Sequence, residues 1–166
     1  MATSRLTTLG PILALAAGLA LTGPLSAQSD ARLVTVVQLT QDGMADSARA
    51  VIKSLLERTD PTDSVYPEML YTSAIVAATE YDRRIALRRV VVEYSTSPWA
   101  DDALMLLGQV EYANSNPGAA LAQFSRLVSD YPASPLIATA AFWGARAAGD
   151  LRDGATACLL AEWPRP

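Results

Sequence analysis

The sequence predicts an all-α solenoid, a stack of about four helical hairpins preceded by an N-terminal signal peptide. Three observations carry that expectation. Eight stretches of helix length are separated by proline and glycine signals, apolar residues recur at helical spacing, and a short phrase returns after 37 residues.

The opening segment reads as an address rather than as part of the fold. Met1 to Thr8 carries one charge, Arg5; Leu9 to Leu21 is apolar apart from its glycines and Pro11; Pro24-Leu25-Ser26-Ala27 supplies a turn and small residues. Residues 1–27 are expected to be removed by cleavage after Ala27, leaving 28–166 as the repeat domain. The apolar run of 13 residues falls short of the roughly 20 that span a bilayer, so no integral membrane segment is expected after cleavage. No Cys lies near the boundary to take a lipid anchor, and the expectation is a soluble periplasmic protein.

The helices follow in order. Residues 31–41 and 44–58 flank Gly43, the second carrying Ala48, Val51, Ile52 and Leu55 on one face; a strand over Leu33 to Val37 is the alternative for the first. Helices over 67–79 and 82–94 follow Asp60-Pro61, and the triplet Val90-Val91-Val92 sits within a helical period. Helices over 99–114 and 118–130 are divided by Asn116-Pro117-Gly118. Those over 136–148 and 152–162 follow Pro135 and Gly149.

Tyr94-Ser95-Thr96-Ser97-Pro98 recurs 37 residues later as Tyr131-Pro132-Ala133-Ser134-Pro135, and the preceding helices match in register. Leu87, Val90, Val91 and Tyr94 are spaced as Phe124, Leu127, Val128 and Tyr131 are, an apolar face at i, i+3, i+4, i+7 that must be buried. The same shift maps Leu104 to Ala141, Gly108 to Ala145 and Leu121 to Cys158, so small residues recur where helices cross closely.

Composition limits the chemistry. A chain of 166 residues with 51% hydrophobic content is one domain's worth of material, and its net charge of -4 excludes nucleic acid as a partner. With no His and one Cys, it holds no His-based triad, no His/Cys zinc site and no internal disulfide. No nucleophile–base pair, glycine-rich phosphate loop or metal-ligand spacing emerges, so no catalytic residue, cofactor or metal is assigned. A non-enzymatic protein is expected.

Counted from Asp101 as the first of 34 positions, Leu104, Leu107, Gly108, Ala120, Phe124 and Pro132 fall at 4, 7, 8, 20, 24 and 32. This unit resembles the tetratricopeptide repeat. It departs from the pattern at Glu111, where an aromatic is usual and Tyr112 follows instead. The Tyr-(Pro)-x-Ser-Pro phrase is similar to that of bacterial cell-envelope repeat proteins, the YbgF (CpoB) and BamD-type domains and the repeat part of SPOR-domain proteins. Over residues 66–160 the resemblance implies a right-handed superhelix, a scaffold binding an envelope protein or peptide, and a role in envelope assembly or Tol-Pal-like cell-division coordination.

Candidate partner-binding residues follow. Arg84 and Arg88, in a cluster with Arg83 and Arg89, suit an acidic peptide or a C-terminal carboxylate; the bland alternative is a solvated face carrying the i, i+4 pairs Glu80–Arg84 and Arg89–Glu93. Trp99, Tyr112 and Trp143 lie on or near the first helices of their hairpins, which line the concave side of tetratricopeptide superhelices. They either anchor a bound peptide or fill the seams between repeats. Asp101-Asp102 reads as a first-turn pair favouring the helix dipole, and Cys158 as a buried small hydrophobe. The last helix meets Pro164 and Pro166 and offers Leu159, Leu160 and Trp163, so the final unit reads as incomplete and able to self-associate. A truncated peptidoglycan-binding SPOR-type protein is the alternative function; an α-helical envelope enzyme ranks below it.

Overall fold

The computed structural model describes residues 30–163. Among them are eight α-helices and no strand: α1 (Ala31–Gln41), α2 (Ala45–Arg58), α3 (Tyr66–Ile75), α4 (Glu80–Glu93), α5 (Ala100–Ala113), α6 (Pro117–Asp130), α7 (Ile137–Asp150) and α8 (Gly154–Ala161). The expected signal peptide with its cleavage after Ala27, and the prolines Pro164 and Pro166, lie outside the described residues. No helix among those described is long and apolar enough to cross a membrane.

All eight expected helices form, and the strand alternative over Leu33 to Val37 does not. Leu33 and Val36 are buried from one face of α1, a three-residue spacing that a strand cannot place on one side. The one large boundary difference is at α3, which stops at Ile75 instead of residue 79. Thr79 is the cause: its hydroxyl accepts the amide of Asp82, which makes it the N-cap of α4 and takes it out of α3.

Each helix packs on the next along the chain, and α1 also meets α3 as α5 meets α7. The main core runs from α3 to α8 around Leu87, Leu104, Leu107, Phe124 and Leu127; a smaller one joins α1, α2 and α3 through Leu33, Val36, Ile52 and Met69. Leu104, Gly108, Ala120 and Phe124 are buried as the repeat register requires, and Pro132 is exposed in a connection. A Cβ on Gly108 would lie 2.5 Å from the Phe124 ring, so only glycine lets that ring seat.

In the next pair of helices, Gly144 meets Leu160 Cδ1, at 2.9 Å from where its Cβ would stand. Both members are 36 residues on from Gly108 and Phe124, one short of the 37-residue register, so the close crossing falls at Gly144 rather than Ala145. Two expectations for α8 are corrected by the same geometry. Leu160 is buried rather than part of an apolar end, and Cys158 is exposed rather than buried, because Leu160 is the one buried residue of α8. Leu159 and Trp163 do remain exposed.

The connections repeat more closely than the helices. Amides of Asp63, Ser97 and Ser134 donate to the carbonyls of Asp60, Tyr94 and Tyr131 at 2.9 Å each. Their side-chain oxygens accept the amides of Val65, Trp99 and Leu136 at 3.1, 3.2 and 3.1 Å. Tyr94 and Tyr131 then each donate a phenolic hydroxyl to a carbonyl of the preceding connection, Pro61 O and Ser95 O. The loop at Asp60 to Val65 is therefore a third copy, 34 residues before the Tyr94 loop. Within hairpins, Gly43, Ser115 and Arg152 take φ of 78°, 59° and 60°. The following amides, of Met44, Asn116 and Asp153, close back onto Leu39, Glu111 and Ala148, the bond that ends a helix through a left-handed residue.

Candidate functional site

The candidate residues fall into three places. Arg84 and Arg88 project from α4 toward Glu111 on α5, whose carboxylate is 4% exposed. Arg84 Nε lies 3.2 Å and Arg88 Nη2 3.3 Å from Glu111 Oε1, while Asn116 Nδ2 donates to Oε2 at 3.3 Å. The expected Glu80–Arg84 pair does not form; Glu80 takes Arg83 instead, at 2.8 Å, three residues on. Arg89–Glu93 does form, at 3.1 Å. Arg84 and Arg88 thus both reach Glu111 at the α4–α5 seam, Arg84 largely covered and Arg88 still open to solvent. Glu111, the departure from the repeat pattern, is what holds them there.

Tyr112 and Trp143 come together across the α5–α7 seam with ring centroids 5.5 Å apart, and Phe142, 61% exposed, stands against Trp143. Arg146 completes this group. Its guanidinium lies 5.6 Å from each of the Tyr112 and Trp143 rings, and its Nε donates to the Tyr112 hydroxyl, which donates in turn to Asp150 Oδ2 at 2.6 Å. The bond to Asp150 raises the Tyr112 hydroxyl above its ordinary pKa, with Arg146 opposing.

Trp99 stands apart from both. It caps α5 and pairs with Tyr71 of α3 at 5.3 Å, closing one end of a groove of about 380 Å³. Val34, Val37, Gln38 and Gln41 of α1 face Glu68, Tyr71, Thr72 and Ile75 of α3 across it. Both sets are spaced i, i+3, i+4, i+7, so the groove is one stripe of α1 laid beside one stripe of α3. Glu68, only 7% exposed, receives no hydrogen bond and no ion pair from any described residue.

Burial, with Asp102 and Asp101 nearby, pushes the Tyr71 hydroxyl up to about 12. The Asp102 carboxyl is itself raised by burial and by Asp101, whereas Asp101 accepts the Ser134 hydroxyl at 2.6 Å. Sequence reasoning found Trp99 but not Glu68, Tyr71 or Arg146. A signal for the first two was present, since Glu68, Tyr71, Thr72 and Ile75 share one helical face; but an acid just after Pro67 reads first as a dipole partner.

No protein-family model and no curated protein matches the chain. The functional reading therefore stands on its own residues.

Proposed function

We propose that the protein is an exported, non-enzymatic scaffold with a tetratricopeptide-like right-handed solenoid, binding a polypeptide partner in the cell envelope. The observation that carries this reading is the α1/α3 groove, an apolar trough with exposed Val34, Val37 and Ile75 along it and the Tyr71–Trp99 pair at its end. Exposed aliphatic residues arranged beside an aromatic anchor are what a bound peptide covers. The connections that recur after 34 and 37 residues support the solenoid, since units of this length bury their faces only by stacking. The envelope setting rests on the signal-peptide layout of residues 1–27.

Photo-crosslinking in the native cell tests the reading. A benzoylphenylalanine placed at Ile75 in the groove should give adducts that protease destroys. The same group at Val92, which is 71% exposed on α4, should give none. Equal yields at the two positions, or no adduct at Ile75, overturn the proposal.

A further inference from the structure

We infer that the α1/α3 groove selects a lysine or arginine side chain of the partner polypeptide, flanked by aliphatic residues, with Glu68 receiving the cation. This rests on the polypeptide-binding reading above and specifies what that polypeptide must carry.

Glu68 is more than nine-tenths buried in a groove whose lining contains no Lys or Arg, and no described donor reaches its carboxylate. Covering a charge this far without a partner costs part of its hydration, even though its oxygens still reach water from the groove. Its place in the first turn of α3 lets the helix dipole offset part of that cost, yet leaves the oxygens without a hydrogen bond. Asp102 occupies the first turn of α5 in the same manner, one junction further along, and its carboxylate likewise has no donor from a side chain. Glu68, the one acid lining the groove, is therefore unanswered, with Asp102 near the Tyr71–Trp99 pair beyond its lining.

The chain itself shows what answers such a place. At the α5–α7 seam an aromatic pair, Tyr112 and Trp143, also stands near a carboxylate, Asp150, and there the chain lays Arg146 against both rings, joined to Asp150 through the Tyr112 hydroxyl. At the α3–α5 seam the aromatic pair and the carboxylate are present and the cation is missing. The positions are not equivalent in the repeat register, so the likeness is one of chemistry. A lysine or arginine reaching in from a partner would place its charge on Glu68, its stem along Val37 and Ile75, and its neighbours on the α1 stripe. A hydrated metal ion fits poorly, because apolar and aromatic walls offer few of the six or more oxygens that calcium or magnesium takes.

The probe is a random seven-residue peptide library panned on the purified protein. Enriched sequences should share one Lys or Arg at a fixed position between aliphatic residues. In the most enriched peptide, exchanging that residue for norleucine should weaken binding to the wild-type protein on the order of tenfold. Against Glu68→Gln the same exchange should change affinity by less than about twofold, because the charge it removes no longer has a partner. The norleucine comparison on the wild type requires no variant to fold. Enriched peptides lacking a basic residue, or an equal norleucine penalty in both proteins, overturn the inference and leave polypeptide binding standing. Failure to enrich any peptide overturns both.

Discussion

The α1–α3 end and the α5–α8 end are built from the same parts, yet they place their polar side chains differently. In the second, buried Glu111 has Arg84, Arg88 and Asn116, Tyr112 has Asp150 and Arg146, and Asp101 has Ser134. In the first, the side chains of Glu68, Thr72 and Tyr71 line the groove without a hydrogen bond from any described residue. Bonds between side chains stiffen a seam, whereas acceptors that face a groove keep their capacity for a ligand. On the proposed reading, the difference separates scaffold from binding surface within one run of helices.

Breaking the scaffold side carries the largest expected effect. Phe124 is fully buried over Gly108 and against the approach of Gly144, so Phe124→Ala should cost about 3–5 kcal/mol. Thermal denaturation followed by circular dichroism should show the main transition fall. Leu33→Ala in the smaller core should cost about 2–3 kcal/mol but act locally, speeding hydrogen exchange in α1 and α2 while α5 to α7 stay protected. If the two variants lower one shared transition with the same exchange pattern, the ends are not separable.

Next in size is Glu111→Ala, which strips Arg84 and Arg88 of their common anion. Loss of one partner of a buried pair is strongly destabilising. Here the Arg88 side chain is 62% exposed and rehydrates, whereas Arg84 Nε is buried, so we expect a smaller loss of about 2 kcal/mol. The double variant Glu111→Leu with Arg84→Met should recover most of it in a melting experiment. Failure to recover would mean that Arg84 contributes through packing rather than charge.

Helix number and most boundaries are legible in the sequence because Pro, Gly and Asn interrupt the apolar periods at nearly every turn. The misreadings have physical causes. Ala77-Ala78 looks helical by propensity, but Thr79 caps α4 and draws the end of α3 back to Ile75. The Asp60 to Val65 loop escapes a search for the Tyr-x-x-Ser phrase because the fold requires only two backbone bonds and an oxygen acceptor. Asp63 supplies that acceptor as well as Ser97 or Ser134 does. Arg84 reads as a surface residue because its partner lies on the next helix, and no spacing within α4 reveals Glu111. Glu68 is legible only once α1 is known to lie beside α3.

On the groove side, one substitution should raise stability. Glu68→Gln removes the charge from a largely covered side chain with no partner among the described residues, and we expect a gain below about 1 kcal/mol because the carboxylate keeps some contact with water. A variant more stable and less selective is the signature of a residue kept for binding. A lower melting temperature would instead mark Glu68 as structural, its charge held by the α3 dipole.

The smallest expected effect is a divergence with pH between the start of α1 and the start of α5. Hydrogen bonds from the Arg32 side chain and amide hold Asp30 down to about 2, from an ordinary 3.8. A depressed carboxylate contributes stability that is present above its unfolded value and lost as pH falls through the folded one. Acidification from about 4 to 2 should therefore fray α1, only slightly, because the Arg32 partner is half exposed and the pair is screened by solvent. Asp102 has the opposite sign. Burial and Asp101 raise its pKa, so the folded state takes up a proton before the unfolded chain does, and stability at this site rises as pH falls through the raised value. Amide protection measured by NMR across this range should thus increase at Ala103 and Leu104 before it decreases at Leu33 and Val34. Asp102→Asn should abolish the first change and leave the second untouched; if protection at both helix starts moves together, the two carboxylates are not in the separate environments that distinguish the ends.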